Sequence, residues 1–330
     1  MRFPLHRFPF FMLVLLTACT AKPKGLPTAT GDIDEVLVVC GDSLWRAGVR
    51  KGVKKALDKK FPMLPQEESV FSFIRVKPKG FTELLRRSRN LLLFRKANRN
   101  SFRAVQNKYA QPQLLFIVAG KAVSDIDAML LEFKDSIIHS YYQSDLDYLQ
   151  SQSKNANQSD DAGLKEMNVY LEVPDDYLLH VVDTTYFQWF RKNTLKSCCN
   201  VIVYESPWDK DKHIDMGTVV KLRDSCVGEF VGDRHSHMIT ENRPGLRPSI
   251  KTVRWGERSL TEVRGLWKMS EGFLGGPFLS YWYVDKAHKR MVAVEGFLLA
   301  PNEKKHNTMI QLEAILRTFH LQKARIAKRG

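Results

Sequence analysis

The sequence predicts an α+β fold in which mixed and antiparallel sheets are layered with packed helices. Three observations carry that expectation. Short apolar runs at 35–40, 90–94 and 114–119 have the length and the polar borders of buried strands. Stretches at 45–57, 126–141 and 309–319 repeat apolar residues every three or four positions, the period of a helix packed on one face. Strand patterns also neighbour other strand patterns, which favours layered mixed sheets over a doubly wound parallel sheet. At 330 residues, 44% hydrophobic and 26% charged, the chain suits one large or two modest domains and is too apolar to be disordered. Its 19 Gly and 14 Pro are too few for a collagen-like or low-complexity chain, and the apolar pattern is that of neither a coiled coil nor a polytopic membrane protein.

The elements follow in chain order. Arg2 and Arg7 precede an apolar run from Phe8 to Leu16, broken by Pro9 and closed by Leu16-Thr17-Ala18-Cys19. This is the layout of an export signal over residues 1–18, too short to span a bilayer as a permanent helix. Small residues before a cysteine resemble the bacterial lipobox, which implies cleavage before Cys19 and acylation of its thiol by chains such as palmitate. The alternative is an ordinary secretory signal in which Cys19 is incidental. Two or more acyl chains, at about 0.8 kcal/mol per buried methylene, would hold the chain on a membrane. Residues 19–32, rich in Thr, Pro and Gly, read as a lipidated tether of roughly 40 Å reach, with Lys22 and Lys24 at headgroup level. With no acidic residue directly after the cysteine, the expected location is the periplasmic face of an outer membrane.

Residues 33–150 form a basic N-terminal α/β half. A strand at 35–40 leads into a helix from Asp42 or Ser43 to about Lys60, where Trp45, Val49, Val53 and Leu57 make a narrow stripe and Arg46, Arg50, Lys51, Lys54, Lys55, Lys59 and Lys60 cover the rest. Strands at 70–76, 90–94 and 114–119, a short helix near 81–87 and a long helix starting at Ser124 complete it. The polar run 151–163 is the expected linker. The C-terminal α+β half, 164–330, holds strand patterns at 168–173, 186–191, 201–204, 250–255 and 263–268, a helix over 215–227, a hairpin of 278–284 with 291–299, a closing helix and a basic tail of Lys323, Arg325, Lys328 and Arg329. Both halves end strand, short loop, long helix, an ending that invites a reading as two similar halves.

Formal net charge is +15, and it is unevenly spread. Arg46 to Lys108 carries 18 basic and 4 acidic residues, whereas Ser124 to Asp176 carries 3 basic and 12 acidic. Such a stripe suits anionic lipid, a cell-wall polymer or an acidic envelope protein, unless the acidic segment balances it in the fold. Export argues against nucleic acid. Beyond Cys19 the cysteines are Cys40, Cys198, Cys199 and Cys226; there is no CxxC, and one long-range bridge to Cys226 is conceivable.

The segments LPTATGDIDEVLVV (26–39) with Trp45, LPQEE (64–68), SRNLLLF (88–94), YFQWFR (186–191), LRDS (222–225), EVRGLW (262–267), GGPF (275–278), VEGFLLAP (294–301) and QLEAIL (311–316) resemble a family of uncharacterised Bacteroidota lipoproteins, catalogued as a domain of unknown function. The resemblance spans nearly the whole mature chain and implies a location and an architecture, with no activity, cofactor or catalytic residue attached. At His235-Ser236-His237-Met238 the sequence departs from the family, where a Tyr is usual before the Met.

Candidate chemistry is sparse. His235 and His237, two apart, with His213, Asp215, Asp224 or Asp233, have metal-ligand residue types but no third ligand at a fixed spacing, so no metal is expected. Ser225, Asp224 and a histidine form a possible hydrolase triad without a nucleophile elbow. No GxGxxG or P-loop is present, and no cofactor is expected. Charged and polar residues inside apolar strands are more telling: Arg89, Asn90, Arg264 and Glu295. The preferred reading pairs Arg89 or Arg264 with Glu295 as a structural ion pair; the alternative lines a cleft with them together with Trp45 and Trp267, for an anionic or sugar-like ligand. Gly275-Gly276-Pro277 reads as a turn whose glycines permit positive φ or close backbone approach. The function expected is that of a lipid-anchored, non-enzymatic envelope-binding or scaffold protein. The alternative is a periplasmic hydrolase, for which Asp224, His235, His237 and Glu241 would have to converge.

Overall fold

The structure, a computed structural model, describes residues 25–153, 161–183, 186–208, 214–232 and 235–322. Cys19 with the expected signal, the first part of the tether including Lys22 and Lys24, linker residues 154–160, His213, Asp233 and the basic tail lie outside the described residues.

In the N-terminal half, β1 (Glu35–Val39) runs into a helical stretch made of α1 (Asp42–Leu44), a π-helical turn (Trp45–Val49) and α2 (Arg50–Leu57). Then come β2 (Ser72–Val76), the short α3 (Glu83–Arg86), β3 (Asn90–Lys96), β4 (Ser101–Gln106), β5 (Leu114–Gly120) and the long α4 (Val123–Ser153). The sheet order is β2-β1-β3-β5-β4, parallel except for β4, which pairs antiparallel with β5 at the edge. Alternation sends Val36, Val38, Leu92, Phe94, Phe116 and Val118 toward α2 and α4, and Leu37, Val39, Leu91 and Leu115 toward Phe81 on the opposite face. Burial on both faces explains why these strands read as unbroken apolar runs. β4 was not evident in the sequence: as an exposed edge strand, SFRAVQ carries no continuous apolar run.

The C-terminal half contains α5 (Ala162–Glu166), β6 (Val169–Tyr170), β7 (Leu178–Asp183), β8 (Phe187–Asn193), β9 (Cys198–Pro207), α6 (Met216–Phe230) and β10 (Met238–Thr240). It continues through β11 (Ser249–Trp255), β12 (Arg258–Met269), β13 (Gly275–Asp285), β14 (Arg290–Leu299), α7 (His306–Leu316) and β15 (His320–Leu321). Its main sheet follows β10-β12-β13-β14-β9-β8-β7, with β11 also on β12, and every pairing is antiparallel. One face packs on α7, close enough that a side chain on Gly296 would place its Cβ 3.0 Å from Leu312 Cβ. The other face packs on α6 through Phe187, Tyr204, Val219 and Val227.

Three sequence expectations change. The strand at 168–173 shrinks to Val169–Tyr170. Gly275-Gly276-Pro277 is the start of β13 rather than a turn, and close approach is what its glycine serves, because a Cβ on Gly276 would lie 1.9 Å from Leu298 O. The common ending, β5–α4 and β14–α7, does not extend to the sheets, one mostly parallel and the other antiparallel. A continuous apolar core nevertheless joins the halves along α4 and α7, where Tyr142 Oη donates to Glu313 Oε2 at 2.5 Å.

Candidate binding surface

The polar residues singled out in the strands are held in three separate buried charge networks. Arg89, 2% exposed, donates through Nε to Asp145 Oδ1 at 3.0 Å and lies over the Tyr148 ring. Asn90 Nδ2 donates to the same oxygen, and Asp34 N donates to Asp145 Oδ2. Arg264 donates to Glu262 Oε1 at 2.7 Å and to Glu313 Oε2 at 2.6 Å. Burial alone would raise the Glu313 carboxyl, yet Arg264 and Arg317 beside it hold it down to about 2. Glu295 is fully buried against Arg223, with Oε1 2.6 Å from Nη2, and accepts from Tyr204 Oη.

The expected pairing of Arg89 or Arg264 with Glu295 is therefore corrected. The reason is register. Arg264 opposes Leu279, which opposes Gly296, whereas Glu295 opposes Ser280, which opposes Val263. One step along a strand reverses the face, so Arg264 points toward α7 and Glu295 toward α6. Arg89 belongs to the other sheet.

The two tryptophans do not join these residues in a cleft. Trp45, half-buried on the N-terminal core, lies under the Arg75 guanidinium at 5.4 Å. Trp267 is buried on the α6 face and donates Nε1 to Leu298 O.

The residues of the hydrolase reading are engaged one by one. Asp224 Oδ1 accepts from Thr240 N at 2.8 Å and Thr240 Oγ1 at 2.6 Å, which ties α6 to β10. Glu241 pairs with Arg243 at 2.7 Å, a contact that holds its carboxyl down to about 2. His237 Nδ1 lies 3.4 Å from Ser270 Oγ, and His235 sits in the loop before β10 with partners of its own. Ser225 lines a cavity of about 570 Å³ with Cys226 and His288. All four described cysteines are free, and burial pushes the Cys40 and Cys226 thiols up to about 11, which leaves them unreactive at neutral pH.

What the N-terminal half does present is charge. Arg46, Arg50, Lys51, Lys54, Lys55 and Lys59 are exposed, because the Val49, Val53 and Leu57 stripe faces inward. None of the six makes an ion pair among the described residues. The acidic helix α4 lies beside α2, but its carboxylates do not reach these cations as salt bridges.

Residues 29–154 match the family described as Domain of unknown function (DUF8532), and residues 156–318 match Domain of unknown function (DUF4837). Each half thus matches its own domain family of unknown function. No curated protein matches it. Among solved structures, the Ran-binding protein Mog1p of Saccharomyces cerevisiae is similar at 12% identity and a TM-score of 0.31, covering 47% of this chain and 90% of that one. LpqN of Mycobacterium tuberculosis, titled as involved in cell envelope biogenesis, is similar at 12% identity and a TM-score of 0.28, covering 47% of this chain and 83% of its own. Neither likeness bears on the site.

The buried partners missed by sequence reasoning share one signal. Arg223 lies four residues from both Val219 and Val227, Asp145 four from Tyr141, and Glu313 four from Met309. Each is a charge on the apolar stripe of a helix, where burial demands a partner.

Proposed function

We propose that this protein is a non-catalytic binding module of the bacterial cell envelope, held on the periplasmic face of an outer membrane by acyl chains on Cys19. Its basic N-terminal half engages an anionic envelope component. The observation that carries the reading is the run of six exposed, unpaired cations between Arg46 and Lys59. Each such charge adds about 1 kcal/mol against an anionic surface, and salt screens it over about 10 Å at 0.1 M. No helix among the described residues is long and apolar enough to cross a membrane.

The reading is tested by co-sedimentation of the purified protein with vesicles containing anionic phospholipid while salt is raised. Binding that decays with salt supports it, and salt-insensitive binding or none refutes it. For the anchor, Cys19→Ala should release the protein from the membrane fraction or leave an uncleaved precursor; unchanged fractionation would exclude acylation at that residue.

A hydrolase reading keeps one specific observation, now at a different place from that expected. His288 Nδ1 lies 2.8 Å from Asp285 Oδ2 and shares its cavity with Ser225, although Arg290 competes for the same carboxylate. Loss of an envelope-ester hydrolysis activity in Ser225→Ala would favour it.

A further inference from the structure

We infer that the groove between β4 and α4 is a binding site for a neutral carbohydrate of one or two rings. The groove has a volume of about 810 Å³, within the range of small-molecule sites. Strand alternation places Phe102, Ala104 and Gln106 of the edge strand on the side facing α4, and the helix supplies the opposite wall.

Its floor is aromatic. Phe102 and Phe133 are stacked at 4.2 Å with 5° between their planes, and Phe102 also stacks on Phe116 at 5.3 Å. Phe102 and Phe133 are only half-buried, so the stacked pair leaves apolar ring surface open along the groove. The C–H groups of a pyranose ring pack on apolar surface of this kind, while its hydroxyls remain free for the walls.

The walls are polar, and Asp147 is the one acidic residue among those lining them. Ser136, Ser140 and Ser144 line the groove one helical turn apart, and their hydroxyls have no partner among the described residues. The Gln106 amide is likewise free. Asp147 gives one oxygen to Gln143 Nε2 at 2.7 Å and keeps the other available. Hydroxyls that both donate and accept, an amide and a carboxylate oxygen form the complement that vicinal sugar hydroxyls need.

What the lining lacks decides the ligand class. In a chain with 51 Lys and Arg, none of the residues lining this groove is a Lys or Arg. An anionic ligand would enter without a Lys or Arg to pair with and would meet Asp147. In the cavity of about 380 Å³ between the halves, by contrast, Arg264, Lys251 and Arg317 are engaged by Glu262 and Glu313, and Lys59 gives the lining a cation with no ion pair among the described residues, suited to an anion rather than a neutral sugar. A peptide strand added to β4 would use backbone groups that point in the sheet plane, past the groove rather than into it.

The test is isothermal titration of the purified protein with maltose, cellobiose and N,N′-diacetylchitobiose. At least one should bind saturably, with an affinity weakened about tenfold or more by Phe102→Ala and by Ser140→Trp, which fills the groove from the helix side. Binding should persist at about 0.5 M salt, where electrostatic binding is screened, and in the Lys51, Lys54, Lys55, Lys59→Glu variant, so its fate is separable from that of the basic surface. If Phe102→Ala fails to fold, Ser140→Trp decides. Absence of binding by all three sugars at about 10 mM, or binding unaltered by the folded variants, overturns the inference. So does an extended peptide that protects β4 amides from exchange where the sugars fail.

Discussion

The cations around α2 and a set of cations in the C-terminal half are used differently. In the C-terminal half, Lys192 pairs with Asp176, Lys196 with Glu303, Lys251 with Glu262, Lys268 with Glu241, and Arg290 with both Glu205 and Asp285. In the N-terminal half the segment from Arg46 to Lys59, which spans α2, leaves six exposed cations with no ion pair among the described residues. Exposed pairs contribute only about 0–1 kcal/mol each, so the contrast concerns availability more than stability. Charges already matched within the fold are poor contacts for a ligand, whereas unmatched charges clustered on one segment sum into a field. The lesson is that net charge is less informative than which charges the fold has left over.

The largest effect should come from breaking a buried pair in the C-terminal half. Arg223→Met and Glu295→Gln should each cost about 3–5 kcal/mol by denaturant unfolding, with the double variant losing less than the sum because no charge is stranded. Arg264→Met combined with Glu295→Gln should instead be additive within about 0.5 kcal/mol, because the two side chains lie on opposite faces of the sheet. Strong coupling in that second pair would contradict the register.

A smaller loss, about 1–3 kcal/mol, is expected from Gly276→Ala, whose Cβ would press on Leu298 O across the sheet. A melting temperature equal to that of the parent would show that β13 and β14 are looser than their spacing implies.

The contact between the halves should respond to pH. His306, at the start of α7, has Nδ1 3.1 Å from Glu68 Oε2 and Nε2 3.2 Å from Asp34 Oδ2, while Glu68 also accepts from the amides of Lys305 and His306. Burial opposes the charged ring, but Asp34 and Glu68 outweigh it and raise the His306 pKa above its usual 6.5. Burial would likewise raise Asp34, yet His306 and Ser72 lower it below 3.8. The histidine's contribution is complete below 6.5 and lost as pH rises through its raised folded value; that of Asp34 is present above 3.8 and lost as pH falls. Melting followed from about pH 5 to 9 should therefore show a decline on the alkaline side that His306→Gln flattens. An unchanged slope in that variant would remove the histidine from the contact.

Much of this architecture was legible in the sequence because burial writes a period. The parallel strands of the first half and the hairpin of β13 and β14 stood out as apolar runs, and the long helices as stripes. β4, β7 and β10 were hidden because exposed or short strands bury too little to leave a pattern. The burial of Arg89, Arg264 and Glu295 was readable from their flanking residues, but their partners were not. Partner choice depends on strand register and on helices far away in sequence, Asp145 being 56 residues from Arg89 and Glu313 49 from Arg264. The β4–α4 groove was likewise invisible, since it needs an unanticipated edge strand facing a helix.

The smallest effect on stability should accompany the largest effect on binding. Lys51, Lys54, Lys55 and Lys59 changed together to Glu should alter unfolding free energy by only about 0.5 kcal/mol or less per site, as befits exposed positions without partners. The most direct test sets that variant beside one with Lys192, Lys196, Lys251 and Lys268 changed to Glu, both assayed for binding to anionic phospholipid vesicles at low salt. The account predicts that the first variant loses vesicle binding while remaining folded, and that the second binds like the parent. Equal loss in both, or retention in the first, would contradict the claim that the unmatched cations of the N-terminal half are the binding surface.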